Sequence, residues 1–292
     1  MKKTIIITGA NSGLGYETTR QLAATGADYQ LVMACRNQAK AEAARKQILA
    51  ESPQADIVCL PLDTADLAAV RRFVTAFSAL DTQVFGLVLN AGIAGTSVTT
   101  TADGFNNIFE TNYLGHFLLT QLLLPKLAKQ PRIIMVSSDR HDAIKHLTWP
   151  GAETVAHAGL DPVVDQRSYI YSKLCMILFA YELKRQLTAQ GKPAAVNAVN
   201  PGLMTETGLA KDKSRFTPEM LAKFADILST AKDSAKMVVD LLTLPEFATG
   251  AARYYDRRST NPIPSSALSH DEAVARGLWH YSMKAVGLVA DA

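Results

Sequence analysis

The chain has 292 residues, within reach of one large α/β unit, and its 48% hydrophobic and 20% charged residues describe a soluble globule. A net charge of +3, with Lys and Arg spread along the chain, excludes a dedicated nucleic-acid binder. Cys35, Cys59 and Cys175 have no CxxC spacing and leave one unpaired, which predicts a reducing compartment; the histidines show no H-x-x-x-H pattern, so no metal is expected.

The elements alternate. Lys3 to Thr8 reads as a buried strand bounded by Gly9, and Gly15 to Thr25 as a helix ended by Gly26. Strands over Gln30 to Cys35, Ile57 to Leu62 and Val84 to Asn90 are separated by helices over Gln38 to Ser52 and Leu67 to Ala79. A long helix follows from Phe105 to Lys129, then a strand from Arg132 to Ser137, a helix from Tyr169 to Gln190, a strand from Ala194 to Val199 and a seventh from Gly250 to Tyr255. This rhythm predicts a Rossmann-type doubly wound parallel sheet in a single α/β domain over residues 1–292. Two intervals, 139–167 and 203–231, leave the carboxyl ends of strands and exceed ordinary connections, so they are the expected substrate walls. The first strand starts close behind Met1 and no apolar run approaches the roughly 20 residues of a membrane span. A cytoplasmic protein without a membrane anchor is the expectation.

After the first strand comes Gly9-Ala10-Asn11-Ser12-Gly13-Leu14-Gly15, a turn that lets the backbone approach a pyrophosphate and lets a helix N-terminus face it. An acid about 20 positions further on would bind a ribose 2′-hydroxyl. Here the second strand ends instead in Ala34-Cys35-Arg36-Asn37, and Arg36 argues for a 2′-phosphate, hence NADP(H). Tyr169 and Lys173 lie four apart on one helix face, where an ammonium would favour the phenolate and suit the tyrosine to general acid/base work. Tyr171 has no lysine four residues on. Asp63-Thr64-Ala65-Asp66 also reads as a turn and helix cap.

Taken in order, Thr8-Gly9…Gly13-x-Gly15, Asn90-Ala91-Gly92, Asn112, Ser138, Tyr169-x-x-x-Lys173 and Pro201-Gly202 resemble the short-chain dehydrogenase/reductase family. The resemblance is to the branch holding retinol dehydrogenases and light-dependent protochlorophyllide reductases, through Met33-Ala34-Cys35-Arg36-Asn37, Glu206-Thr207-Gly208-Leu209 and the tail Leu278-Trp279…Ser282…Val286-Gly287-Leu288. It implies a catalytic set of Asn112, Ser138, Tyr169 and Lys173, with Ser137 the rival of Ser138 and Asn112 holding a water beside Lys173. It further implies that Asp63 and Thr64 meet the adenine, that the backbone of Asn90, Ala91 and Gly92 lines a ribose, and that Thr205 after Pro201-Gly202 reaches the carboxamide. His141, Leu203 and Met204 are the expected substrate contacts, and the mixture of apolar residues in the walls suits a lipophilic aldehyde, ketone or alcohol. The expected partner is that small molecule, with a homodimer or homotetramer open through the fourth long helix and its successor. Leu203 and Ile170 stand where protochlorophyllide reductases carry cysteine and lysine, which weighs against reduction of a C=C bond. A non-catalytic NADP-binding sensor is the remaining alternative.

Overall fold

The computed structural model describes residues 2–95, 98–209 and 216–289. Seven parallel strands form one sheet in the order β3-β2-β1-β4-β5-β6-β7. They are β1 (Lys3–Thr8), β2 (Tyr29–Cys35), β3 (Asp56–Pro61), β4 (Val84–Leu89), β5 (Leu127–Val136), β6 (Ala195–Asn200) and β7 (Arg253–Asp256). The strands are apolar on both faces because both faces are covered. Ile6, Val32, Leu87, Ile133 and Val196 belong to one core. Their neighbours Ile5, Ile7, Leu31, Val88 and Ile134 belong to the other. That is the period-two alternation of a strand expressed as two separate hydrophobic layers.

Helices α1 (Gly13–Ala24), α2 (Gln38–Glu51) and α6 (Ala231–Thr243) cover the second core; α3 (Leu67–Ser78), α4 (Gly115–Leu123), α5 (Ser168–Ala189) and α7 (Glu272–Ala285) cover the first. The helix ends follow local chemistry. Asn37, Asp66, Thr230 and Asp271 each accept a main-chain N–H in the first turn of the helix they precede.

The long helix expected over Phe105 to Lys129 is a correction. It is divided into a short helix Asn107–Phe109, a π turn Glu110–Leu114, α4 and a 3₁₀ turn Leu124–Lys126 that contains Pro125. Proline at that place cannot continue the helical bonds, so the chain turns extended and β5 begins at Leu127, earlier than the sequence suggests. The tail closes the first layer. Trp279 of α7 packs on Phe117 and Phe179 at ring separations of 5.2 and 6.0 Å, and Ser282 lies 2.8 Å from the Tyr113 hydroxyl. Part of the α4–α5 surface, through which pairing with a second copy was left open, thus meets α7 of the same chain. No helix of the described residues is long and apolar enough to cross a membrane.

Candidate active site

The strand order reverses between β1 and β4, and ligands in such sheets bind in the crevice outside the carboxyl ends at that switch point. The glycine turn leaves β1 on one side of it, and Asn90-Ala91-Gly92 leaves β4 on the other. Thr8 joins them: its hydroxyl accepts the N–H groups of Asn90 and Ala91, both at 2.8 Å, while the Asn90 side chain donates to the Thr8 carbonyl at 2.8 Å.

The turn itself is a cradle that side chains would fill. Gly9 and Gly13 have φ of +67° and +55°. A Cβ on Gly15 would lie 2.6 Å from the Gly9 carbonyl oxygen and 2.7 Å from the Asn90 amide. Among the described residues Ser12 forms no side-chain cap on α1, so the first-turn N–H groups keep their bonding capacity for an anion. Cys35, buried at the end of β2, accepts N–H groups from Ala10 and Asn11, and burial pushes its thiol up to about 11. It is a neutral support for the turn. These groups fit a dinucleotide.

At the adenosine end, Arg36 and Asp63 face each other at 3.7 Å across a cleft of about 370 Å³ beyond the edge strand β3, with Leu62, Asp66, Ala69 and Arg72 also lining it. Asp63 is committed to the local turn as well, accepting the Ala65 N–H at 3.0 Å. The Arg36 guanidinium is 73% exposed, which leaves most of its donors open.

The first turn of α5 brings the proton-transfer groups to the same edge. Tyr169 is half-buried, with Lys173 Nζ 5.6 Å from its ring. Burial pushes the Tyr169 phenol up to about 12, and its hydrogen bond with Ser138 pulls the other way. Burial also brings the Lys173 ammonium down to about 8. The expectation that the ammonium sets the phenol's acidity is corrected: burial dominates, and Ser138 is the main lowering influence. Lys173 donates to the Val136 carbonyl at 3.0 Å and lies beside Gly92.

The two serines after β5 separate by direction. Ser137 is buried and donates to the Lys173 carbonyl at 2.7 Å, whereas Ser138 turns to the phenol and to Asp139 at 3.1 Å. Tyr171 points away and donates to the Thr148 carbonyl. Asn112 lies in the π turn with its side chain fully bonded: Oδ1 accepts the Ile93 N–H at 2.8 Å, and Nδ2 donates to the Ile93 carbonyl at 3.0 Å and to Ser172 Oγ at 2.9 Å.

The substrate expectations fare less well. His141 is 3% exposed; its Nδ1 lies 2.6 Å from the Ser138 carbonyl, its Nε2 accepts the Ser266 N–H at 3.0 Å, and its ring meets Tyr254 edge-on. Both ring nitrogens are occupied, so His141 anchors the chain behind Ser138 and is corrected as a substrate contact. Met204 is half-buried and packs in part against the second core. Leu203 stays half-buried, its backbone bridged to Ile227 and Ser229. Pro201 is buried and its carbonyl accepts from Ser234; Gly202 has φ +77° with Arg257 close by. Thr205 is half-buried in the same turn, and Thr207 packs against Gly13. The part of the second wall at 210–215 lies outside the described residues.

Sequence reasoning missed the clasp on that wall. Arg257 donates to the carbonyls of Asp226 and Leu228, Arg258 donates to that of Asp226, and Asp256 holds both arginines. It also missed His116, whose one visible signal is a histidine set among Leu114, Phe117 and Leu118, four positions beyond Asn112.

A nucleotide cradle with a tyrosine, a lysine and a serine at its mouth defines a dinucleotide-dependent oxidoreductase site. The sequence profile of the short chain dehydrogenase family matches residues 3–144. Human "Retinol dehydrogenase 13" is 36% identical over 299 residues, covering 99% of this chain and 86% of the relative. "Polyprenol dehydrogenase" of Danio rerio is 35% identical, covering 98% and 87%. A crystal structure of an uncharacterized protein from Mycobacterium Paratuberculosis superposes with a TM-score of 0.70 at 31% identity, covering 98% of this chain and 93% of that one. The chain belongs to the short chain dehydrogenase family of nicotinamide-dependent oxidoreductases, in its retinol dehydrogenase-like branch.

Proposed function

We propose that the chain interconverts a carbonyl and an alcohol on a lipophilic small molecule, with NADP(H) as its cofactor. The observation that carries this reading is the placing of the Tyr169 phenol at the carboxyl edge of the sheet, beside Ser138 and one helical turn from Lys173, whose Nζ lies 5.6 Å from its ring. Gly9 to Gly15, the Asn90–Gly92 backbone and Lys173 would hold the dinucleotide. Arg36 would meet its 2′-phosphate, and Thr205 with the Pro201-Gly202 turn would flank the nicotinamide. When bound, that ring supplies or accepts the hydride.

The chain's own part is proton transfer and orientation. Tyr169 gives its proton to the oxygen of a carbonyl as that oxygen becomes a hydroxyl, and takes it back in the oxidation. Ser138 donates to the same oxygen and stabilises the charge that develops there. Lys173, cationic below about 8, offsets the cost of a phenolate in a desolvated site. Arg36 at the end of β2, with no acid there, supports NADP(H) over NAD(H). Relatives named for retinol and polyprenol support an apolar alcohol or its carbonyl as substrate.

The test follows NADPH and NADH absorbance against a panel of aldehydes, ketones and quinones. Tyr169→Phe should lower turnover by roughly 10²- to 10⁴-fold while NADPH binding persists. Turnover equal to that of the unaltered protein would remove the proposed proton donor.

A further inference from the structure

We propose that His116 is a positioning residue for this reaction: braced on Thr8, it holds the main-chain carbonyl of Asn112 and, through Asn112 and Ser172, sets the helix turn bearing Tyr169. The inference rests on the proposed carbonyl/alcohol activity for its kinetic readout and on hydrogen-bond geometry for the rest.

The bonds assign the ring's protons. His116 is fully buried, with Nδ1 3.0 Å from the Asn112 carbonyl and Nε2 2.9 Å from Thr8 Oγ1. A carbonyl only accepts, so Nδ1 carries the hydrogen and Nε2 is bare. Thr8 Oγ1 already accepts two N–H groups, and its own proton is free to go to Nε2, nearer than the Val88 carbonyl at 3.3 Å. Burial brings the imidazole down to about 4, which keeps it neutral in this tautomer at physiological pH.

What the ring holds lies next to the chemistry. Asn112 sits in the π turn, where main-chain bonds skip one residue further than in an α-helix; Gly115 N–H, for instance, reaches the Glu110 carbonyl. From Asn112 the path continues through Nδ2 to Ser172 Oγ, and Ser172 donates to the Tyr169 carbonyl at 2.8 Å. Thr8, His116, Asn112, Ser172 and Tyr169 form one uninterrupted line from the end of β1 to the start of α5. His116 touches neither the reacting atoms nor the cofactor cradle directly. It acts through Asn112.

Two variants divide its two arms, because an asparagine amide reaches the place of Nδ1 and a glutamine amide that of Nε2. His116→Asn should keep kcat within about threefold, since it preserves the donor to Asn112 while Thr8 turns to Val88. His116→Gln should lower kcat roughly ten- to a hundredfold with the KM for NADPH little changed. Equal losses in both variants, or a loss in Asn with kcat kept in Gln, would overturn the proposal. Ring ¹⁵N shifts of His116 in the unaltered protein give a reading independent of turnover and of variant folding. An Nδ1–H imidazole from pH 6 to 8 is expected, and an Nε2–H tautomer overturns the assignment. If the unaltered protein turns over no carbonyl, the activity reading falls and the ring tautomer alone decides the role of His116.

Discussion

Removal of the Arg36 guanidinium by Arg36→Ala tests the cofactor preference most directly. A unit charge pair near 4 Å is worth about 1 kcal/mol in water and about 4 kcal/mol at the effective dielectric of a protein surface. With the side chain 73% exposed, the lower half of that range applies, about 1.5–2.5 kcal/mol for a guanidinium on a phosphate dianion. Since 1.4 kcal/mol is tenfold, the KM for NADPH should rise roughly ten- to sixtyfold. The effect has a second source. Asp63 lies 3.7 Å from Arg36, and without the arginine its carboxylate would face the phosphate uncompensated. The KM for NADH should move less than about threefold, and the melting temperature should stay put, because an exposed pair of this length contributes little to folding. Initial rates with both cofactors, repeated at 50 and 300 mM salt, measure the ratio. A parallel rise for NADH and NADPH, or no rise at all, would refute the argument.

Ser137→Ala should cost about 1 kcal/mol of stability by removing the side-chain donor to the buried Lys173 carbonyl, yet keep the activity of the folded fraction. Ser138→Ala should do the reverse, with roughly a hundredfold loss of kcat and no change in melting; thermal unfolding and rate assays on the pair decide it. Glu110 is fully buried, and burial pushes its carboxyl up to about 8, with Thr101 pulling the other way and the Asp103 carboxylate adding to the rise. The folded state keeps that proton while the unfolded chain releases it near 4.5, so stability falls as pH rises between the two values. Glu110→Gln should match the unaltered protein near pH 4.5 and exceed it by on the order of a few kcal/mol at pH 8, measured by urea unfolding. A gap independent of pH would contradict the burial argument.

The sheet was legible because its strands are short β-branched runs alternating with amphipathic helices, and the nucleotide turn because glycines had to stand where the backbone folds onto itself. The catalytic residues were legible as a spacing, but their partners were not. Nothing in the sequence distinguishes the directions of Ser137 and Ser138, which depend on where α5 crosses β5. His141 was drawn into the substrate list by its closeness to Ser138 along the chain, whereas the 3₁₀ turn Asp139–Asp142 carries its ring into the core against Tyr254. The π turn escaped as well: Phe105 to Leu123 has the apolar content of a continuous helix, and one extra residue in a turn leaves no mark in periodicity.

Gly115 shows how tightly the adenosine end and the catalytic end are geared. A methyl group there would overlap the main-chain carbonyl oxygen of Thr64, just past β3. That oxygen belongs to every amino acid, so no replacement at 64 makes room for a side chain at 115, and second-site rescue is closed. A saturation library across both positions, selected for a folded reporter, should return glycine at 115 whatever it returns at 64.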